Sequence, residues 1–339
     1  MAVKLKNLKD QVMVITGASS GIGLTTARMA AEKGAALVLA SRNEDSLKKL
    51  ASEINSSGGS AVYVVADVGN EGDVKKVAAE ALNKFGRFDT WVNNAGISIY
   101  GKLEDVPVED MRRLFETNFW GVVYGSLVAA GNMKTTGGAL INVGSTLSDR
   151  AIPLQGIYCS SKHAVKGFTD ALRMELEADG APISVTLIKP AAIDTPYKEH
   201  ARNYLDVKPE NPPPVYSPDA VAEAILHCAE NPVRDLFVGG AAKAHSVMGK
   251  FAPRTFDKIM ETTMLGQTRS GDEAPPTPLE GLYESHDERL SERGTYEGHV
   301  SETSAYTTAS LHPVLTGALA LGAAGLAYTF YAKRNSKSH

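Results

Sequence analysis

Cysteine is scarce in this chain. Its 339 residues include two, Cys159 and Cys228, too few and too far apart for a disulfide framework or a cysteine metal site, so a reducing compartment is expected. The N-terminus, MAVKLKNLKD, lacks the apolar core of a secretory signal. An excess of one charge is lacking too: 35 Lys and Arg against 39 Asp and Glu leave −4, which offers nucleic acid no basic surface. No repeat of solenoid period is present. Residues 311–331, LHPVLTGALALGAAGLAYTFY, are the exception to an otherwise broken hydrophobic pattern, and they carry no charge.

The first 240 residues alternate short apolar runs with segments of helical spacing. Strands are expected at 12–17, 35–41, 61–67, 89–95, 138–145, 183–190 and 235–240. Most are continuously apolar, as in strands of a parallel sheet covered on both faces. Stretches such as EDSLKKLASEI and AVKGFTDALRMELEA lie between them with apolar residues at helical periodicity. The alternation implies βαβ units and an α/β, doubly wound parallel sheet of about seven strands. Residues 241–264 suit a helical extension of one or two helices. Residues 265–310 are polar and aperiodic, a linker or a segment ordered only by docking. A basic tail, 332–339, follows the uncharged run.

Directly after the first strand stands Thr16-Gly17-Ala18-Ser19-Ser20-Gly21-Ile22-Gly23. Strand, glycine-rich turn and helix start place backbone N–H groups where an anionic pyrophosphate can be held. The spacing T-G-x-x-x-G-x-G resembles the short-chain dehydrogenase/reductase family. That resemblance implies a Rossmann-type fold with Gly17, Ser19, Ser20, Gly21, Ile22 and Gly23 wrapped around a dinucleotide.

The second strand ends Ala40-Ser41-Arg42-Asn43, without the acid that accepts from a ribose 2′-OH in NAD sites. Arg42 offers a guanidinium to a 2′-phosphate instead, so NADP(H) is the expected cofactor, with Ser41 beside it. The family likeness places Asp67 and Val68 at the adenine, Asn94, Ala95 and Gly96 beside the ribose, and Ile193 and Thr195 at the nicotinamide carboxamide after Pro190. Where the family usually has Pro-Gly, this chain has Pro190-Ala191.

Tyr158 and Lys162 lie one turn apart on a predicted helix, on one face. A free phenol is too weak an acid for proton exchange at neutral pH, and a neighbouring ammonium would lower its pKa. Ser145, thirteen residues upstream, can donate to a substrate oxygen. With Asn118 these match the family's Asn, Ser, Tyr and Lys. The resemblance implies Tyr158 as general acid/base, Ser145 as substrate orienter and Lys162 on the nicotinamide ribose. It implies that Asn118 holds a water linking Lys162 to solvent. Cys159 reads as packing. Residues 191–216, with Tyr197, His200, Tyr204 and the run Pro209–Pro214, form the segment that lids the substrate in the family.

The function expected is NADP(H)-dependent interconversion of a carbonyl and an alcohol, on a cytoplasmic catalytic domain. The family's frequent dimers and tetramers imply a homo-oligomer. An NAD-linked steroid or polyol dehydrogenase and a non-catalytic NADP(H)-binding sensor are the alternatives. The 311–331 run is near the length of a transmembrane helix, with small residues Ala318 and Gly322 for helix packing and Tyr328, Tyr331, Lys333 and Arg334 as interfacial anchors. A helix docked on the enzyme or on a partner copy is the other use of such a run.

Overall fold

Strands without polar side chains on either face must be covered on both. The computed structural model describes residues 3–267, 269–273, 281–285, 290–312 and 316–317. Its main sheet contains β1 (Val12–Thr16), β2 (Ala36–Ser41), β3 (Ser60–Val65), β4 (Thr90–Asn93), β5 (Gly138–Val143), β6 (Ile183–Pro190) and β7 (Asp235–Val238). All run parallel, in the order β7-β6-β5-β4-β1-β2-β3. Every residue of β1, β5 and β6 is buried, as their mostly apolar sequences require, and polar side chains among them such as Asn142 and Thr186 are hydrogen-bonded inside the fold.

Side chains alternate across the sheet. Met13 and Ile15 join Leu24 of α1 (Gly21–Glu32) and Val221 and Ile225 of α7 (Pro218–Glu230). Val12 and Val14 face the other way, toward Val74 and Val77 of α3 (Glu71–Phe85) and Met133 of α5 (Gly121–Met133). The remaining crossover helices are α2 (Glu44–Ser56), α4 (Val108–Phe115) and α6 (Gly156–Ala178). Asn43 and Asn70 set the starts of α2 and α3, accepting from the backbone N–H of Ser46 at 2.8 Å and of Asp73 at 3.2 Å.

β1 pairs with β2 on one side and β4 on the other, so the chain order reverses at β1. In such sheets the crevice beyond the carboxyl ends of the strands at the reversal is the ligand site. The expected strands ran too far at this edge: 61–67 ends at Val65, 89–95 at Asn93 and 138–145 at Val143. Asp67, Asn94, Ala95 and Ser145 therefore lie in loops. Chain that leaves the ladder here turns its polar groups into the crevice.

Past β7, α8 (Gly240–Phe251) and α9 (Pro253–Gln267) bring Phe256 and Met260 into one buried cluster with Leu147 and Tyr158. In the stretch expected as a linker or docked segment, the described residues lie against the domain. Leu282 is fully buried in that same cluster. Val300–Ser301 runs parallel to Val215–Tyr216, which in turn pairs with Ala192–Ile193 just after β6. α10 (Ala305–Leu311) ends with Leu311 packed on the core, and His312 meets the ring of His227 at 6.0 Å.

Among the described residues no helix is long and apolar enough to cross a membrane. The 311–331 run lies outside the described residues except for Leu311, His312, Thr316 and Gly317.

The docking of α10 depends on a buried hydrogen bond from the Gly239 N–H to the Thr307 hydroxyl, at 3.0 Å. Thr307→Val keeps the shape and strands that N–H, which should cost about 1–3 kcal/mol in urea unfolding of the full chain. A loss within experimental error would mean that α10 is not held at Gly239.

Candidate active site

The loops after β1 and β4 are stitched together. The Thr16 hydroxyl accepts from the N–H groups of Asn94 and Ala95 at 3.1 and 3.2 Å, and Asn94 Nδ2 returns to the Thr16 carbonyl at 2.9 Å. This closeness dictates the glycines. A Cβ at Gly23 would sit 2.0 Å from the Gly17 carbonyl oxygen, and one at Gly17, whose φ is +67°, would sit 2.8 Å from the Ala95 Cα. The start of α1 thus abuts the ends of two strands, with Ser19, Ser20, Gly21 and Ile22 lining a cavity. The glycine cradle and the helix N-terminus fit a dinucleotide pyrophosphate. One donor expected for that purpose is already engaged, since the Gly21 N–H bonds the Ser291 carbonyl at 2.9 Å.

The cavity, about 490 Å³, continues along the carboxyl edge of the sheet. Ser41, Arg42, Asp67 and Val68 line one end, Asn94, Ala95 and Gly96 the middle, and Ser145, Tyr158, Lys162, Pro190, Ile193 and Thr195 the other. Gly23 is not in the wall, because it packs against Gly17. Asn118 is not either. It is fully buried on a single π-helical turn, Glu116–Trp120, between α4 and α5, and its side chain pairs with both backbone groups of Ile97, at 2.8 and 2.9 Å. It also donates to the Ser161 hydroxyl at 3.2 Å. Asn118 thereby fixes the loop that carries Gly96 past Lys162. Ala191 is not among the residues with left-handed backbone, so the Pro-Ala departure introduces no strain.

Ser145 sits in a reciprocal cap. Its hydroxyl accepts from the Leu147 N–H and its own N–H donates to the Ser148 hydroxyl, both at 3.1 Å. Ser148, given no role from the sequence, therefore orients the Ser145 loop. Tyr197, expected only as part of a lid, stands edge-on to Tyr158 with centroids 5.9 Å apart, and its hydroxyl donates to the Ile97 carbonyl at 2.8 Å. No local signal marks it, since its partners lie some 40 and 100 residues away in sequence. Cys159 is buried in apolar surroundings that push its thiol up to about 11.

The electrostatics correct one expectation. Burial pushes the Tyr158 phenol up to about 12, although hydrogen bonds with Ser145 and Tyr197 favour its ionised form. Lys162 does not offset this in the chain as it stands. Its ammonium lies 5.7 Å from the phenol ring centroid and donates to the Val143 carbonyl at 2.9 Å, while burial lowers its own pKa to about 8. Desolvation outweighs the pairing that the one-turn spacing suggested.

The buried amine has a measurable signature. The unfolded chain keeps that proton to about pH 10.5, whereas the folded chain releases it near 8. Stability from this group therefore rises with pH across that window and is lost as pH falls through 8. Lys162→Met removes the titration, so the stability of the native chain minus that of the variant should grow between pH 8 and 10.5 by on the order of 1–3 kcal/mol. A flat difference would show an amine that is not desolvated.

Residues 11–205 match the short chain dehydrogenase family. The uncharacterized oxidoreductase YxnA of Bacillus subtilis is 50% identical over 323 residues, covering 94% of this chain and 90% of the relative. An alcohol dehydrogenase from the archaeon Thermococcus sibiricus, complexed with 5-hydroxy-NADP, superposes with a TM-score of 0.60 at 30% identity, covering 67% of this chain and 95% of that one. A short chain dehydrogenase/reductase from Burkholderia phymatum in complex with NAD gives 0.63 at 25% identity, over 80% and 100%. With this sheet order, glycine cradle and Ser145–Tyr158–Lys162 grouping, the chain belongs to the short-chain dehydrogenase/reductase family of oxidoreductases.

Proposed function

We propose that this chain is an NADP(H)-dependent enzyme that interconverts a carbonyl and an alcohol, with Tyr158 as the general acid/base. The observation that carries this reading is the place of the Tyr158 hydroxyl. It lies on the cavity wall with Ser145 and Tyr197, the Tyr158 ring 5.9 Å from that of Tyr197 and one helical turn from Lys162. Nicotinamide bound along the cradle would supply or accept the hydride. Tyr158 would exchange the proton at the substrate oxygen, and Ser145 would donate to that oxygen and orient it. Lys162 would hold the nicotinamide ribose, while Asn118 keeps Ile97 and Gly96 in place beside it. The intact acid/base group argues against a pure sensor.

The NADP(H) preference rests on Arg42 and on the missing acid at the end of β2. The guanidinium already turns its N–H groups toward oxygen acceptors, the carbonyls of Gly281 and Leu282. The substrate end is walled by Leu147, Ile152, Ile259 and Met260, with Pro212 and Pro213 from the lid segment. The same cavity also presents Gln155 and His245, and its apolar side chains favour a bulky, mostly apolar alcohol or ketone.

The uncharged run 311–331 is proposed as a membrane anchor on its composition and length alone. Full-length chain should then sediment with membranes and resist carbonate extraction; recovery in the soluble fraction would return the run to a docking helix.

Two substitutions test the chemistry. Tyr158→Phe keeps the ring and removes the proton, so NADPH oxidation with apolar ketones should fall by roughly 10²–10⁴-fold while NADPH still binds. Turnover near the native rate would remove Tyr158 from the reaction. Arg42→Ala should weaken NADPH by about 1.5–3 kcal/mol, the scale of a hydrogen bond to a charged group, and leave NADH nearly unchanged. Equal weakening of both cofactors would make Arg42 structural.

A further inference from the structure

Arg42 does not act on the adenine end of the cavity alone. Arg113, from the last turn of α4, reaches the same point. Its Nε donates to the Leu282 carbonyl at 3.1 Å, and Arg42 Nη1 donates to that oxygen at 3.3 Å. Arg42 Nη2 takes the neighbouring Gly281 carbonyl at 2.5 Å. Two guanidinium groups thus converge on a pair of neutral peptide oxygens. Close by stands one carboxylate, Asp67, which Arg113 Nη2 holds at 2.5 Å and which also accepts from the Gly69 N–H at 2.9 Å. Asp67 is the carboxylate paired with Arg113, and the two carbonyls contribute only dipoles. The convergent donors of the two guanidinium groups are of the kind that holds an anion.

The peptide in that place is anchored by other means. The Leu282 side chain is fully buried, the Gly281 Cα is backed so closely against His200 that a Cβ would lie 2.4 Å from its carbonyl oxygen, and the Tyr283 hydroxyl donates to Asp110 at 2.7 Å. The two carbonyls are the part of this peptide that a ligand on the arginines would displace.

We infer that Arg42 and Arg113 together form the seat of the NADP(H) 2′-phosphate, and that the Gly281–Leu282 carbonyls occupy this seat until the phosphate displaces them. This rests on the NADP(H) reading and goes beyond it, because it assigns specificity to a second arginine and a competing acceptor to the C-terminal extension. Arg113 would also link the two halves of the nucleoside. One face of its guanidinium sets the Asp67 carboxylate at the adenine position, and its Nε turns to the phosphate.

The test is calorimetric titration of the full chain with adenosine 2′,5′-bisphosphate and with 5′-AMP, ligands that differ by that one phosphate. Arg113→Gln should weaken the bisphosphate by about tenfold or more and 5′-AMP by less than about threefold. Arg113→Lys keeps a charge beside Asp67 and loses the planar fork, so it should retain 5′-AMP binding and lose part of the discrimination. Leu282→Ala weakens the anchor of the competing peptide and should tighten the bisphosphate by about threefold or more without moving 5′-AMP. If Arg42→Ala removes discrimination while both Arg113 variants weaken the two ligands equally, the seat is a single arginine, and the inference fails with the NADP(H) reading intact. If the native chain binds the two ligands equally, the NADP(H) reading itself fails. Bisphosphate binding unchanged or weakened in Leu282→Ala would overturn the displacement.

Discussion

Between the ends of β1 and β4 the chain approaches itself so closely that position 23 has no room for a side chain. The Gly17 carbonyl lies 2.0 Å from where a Cβ would be, and Asn94 Nδ2 lies at 2.6 Å. The rest of the site depends on this contact. It lets the first turn of α1 sit on the sheet edge, aims backbone N–H groups along the crevice, and holds Asn94, Ala95 and Gly96 flat against the space beside it. Gly96 in turn passes within reach of Asn118 and Lys162, since a Cβ there would lie 3.4 Å from the Asn118 Oδ1 and 3.8 Å from the Lys162 Nζ. A methyl group at position 23 would push α1 off the strands and move every later group with it.

The reacting end has the opposite character, because its cost is electrostatic and not steric. A phenol pushed up to about 12 and an amine held down to about 8 share one dry pocket. Each is less stable there in its charged form than in water. A core built for stability alone would place apolar groups at both positions. Burial moves the two groups in opposite directions, which sets a neutral phenol beside a weakened ammonium in one pocket and makes the pair the candidate acid/base site.

The seven main strands were legible because a parallel sheet leaves a simple trace, short apolar runs buried on both faces and separated by amphipathic helices. Their carboxyl ends were not, since Asp67, Asn94 and Ser145 follow apolar residues directly and only pairing shows where the ladder stops. The glycine loop and the Tyr158–Lys162 spacing are local patterns, so sequence distance did not hide them. Tyr197, Ser148 and Arg113 were missed because each matters through a partner far along the chain or through a main-chain atom. The same holds for the extension. Residues 281–285 and 290–301 have no periodicity to read, because they are held by backbone carbonyls, a two-residue strand and single buried side chains, and not by a continuous apolar face.

Those contacts give the extension a mechanical meaning. The Ser291 carbonyl takes the Gly21 N–H at the start of α1, and Glu292 pairs with Arg28 one helix face further on, at 2.6 Å. A few residues later Gly294 packs on Thr195, Thr295 donates to Glu199 at 2.8 Å, and Val300–Ser301 extends the small sheet that continues from β6. A single polar stretch therefore ties the pyrophosphate side of the crevice to the loop that carries Tyr197 over the reacting end. The Gly281–Leu282 peptide lies upstream of it on Arg42 and Arg113. Residues 290–301 thus bridge the start of α1 and the loop that carries Tyr197 through backbone bonds and single ion pairs, which is why no amphipathic period announces them in the sequence.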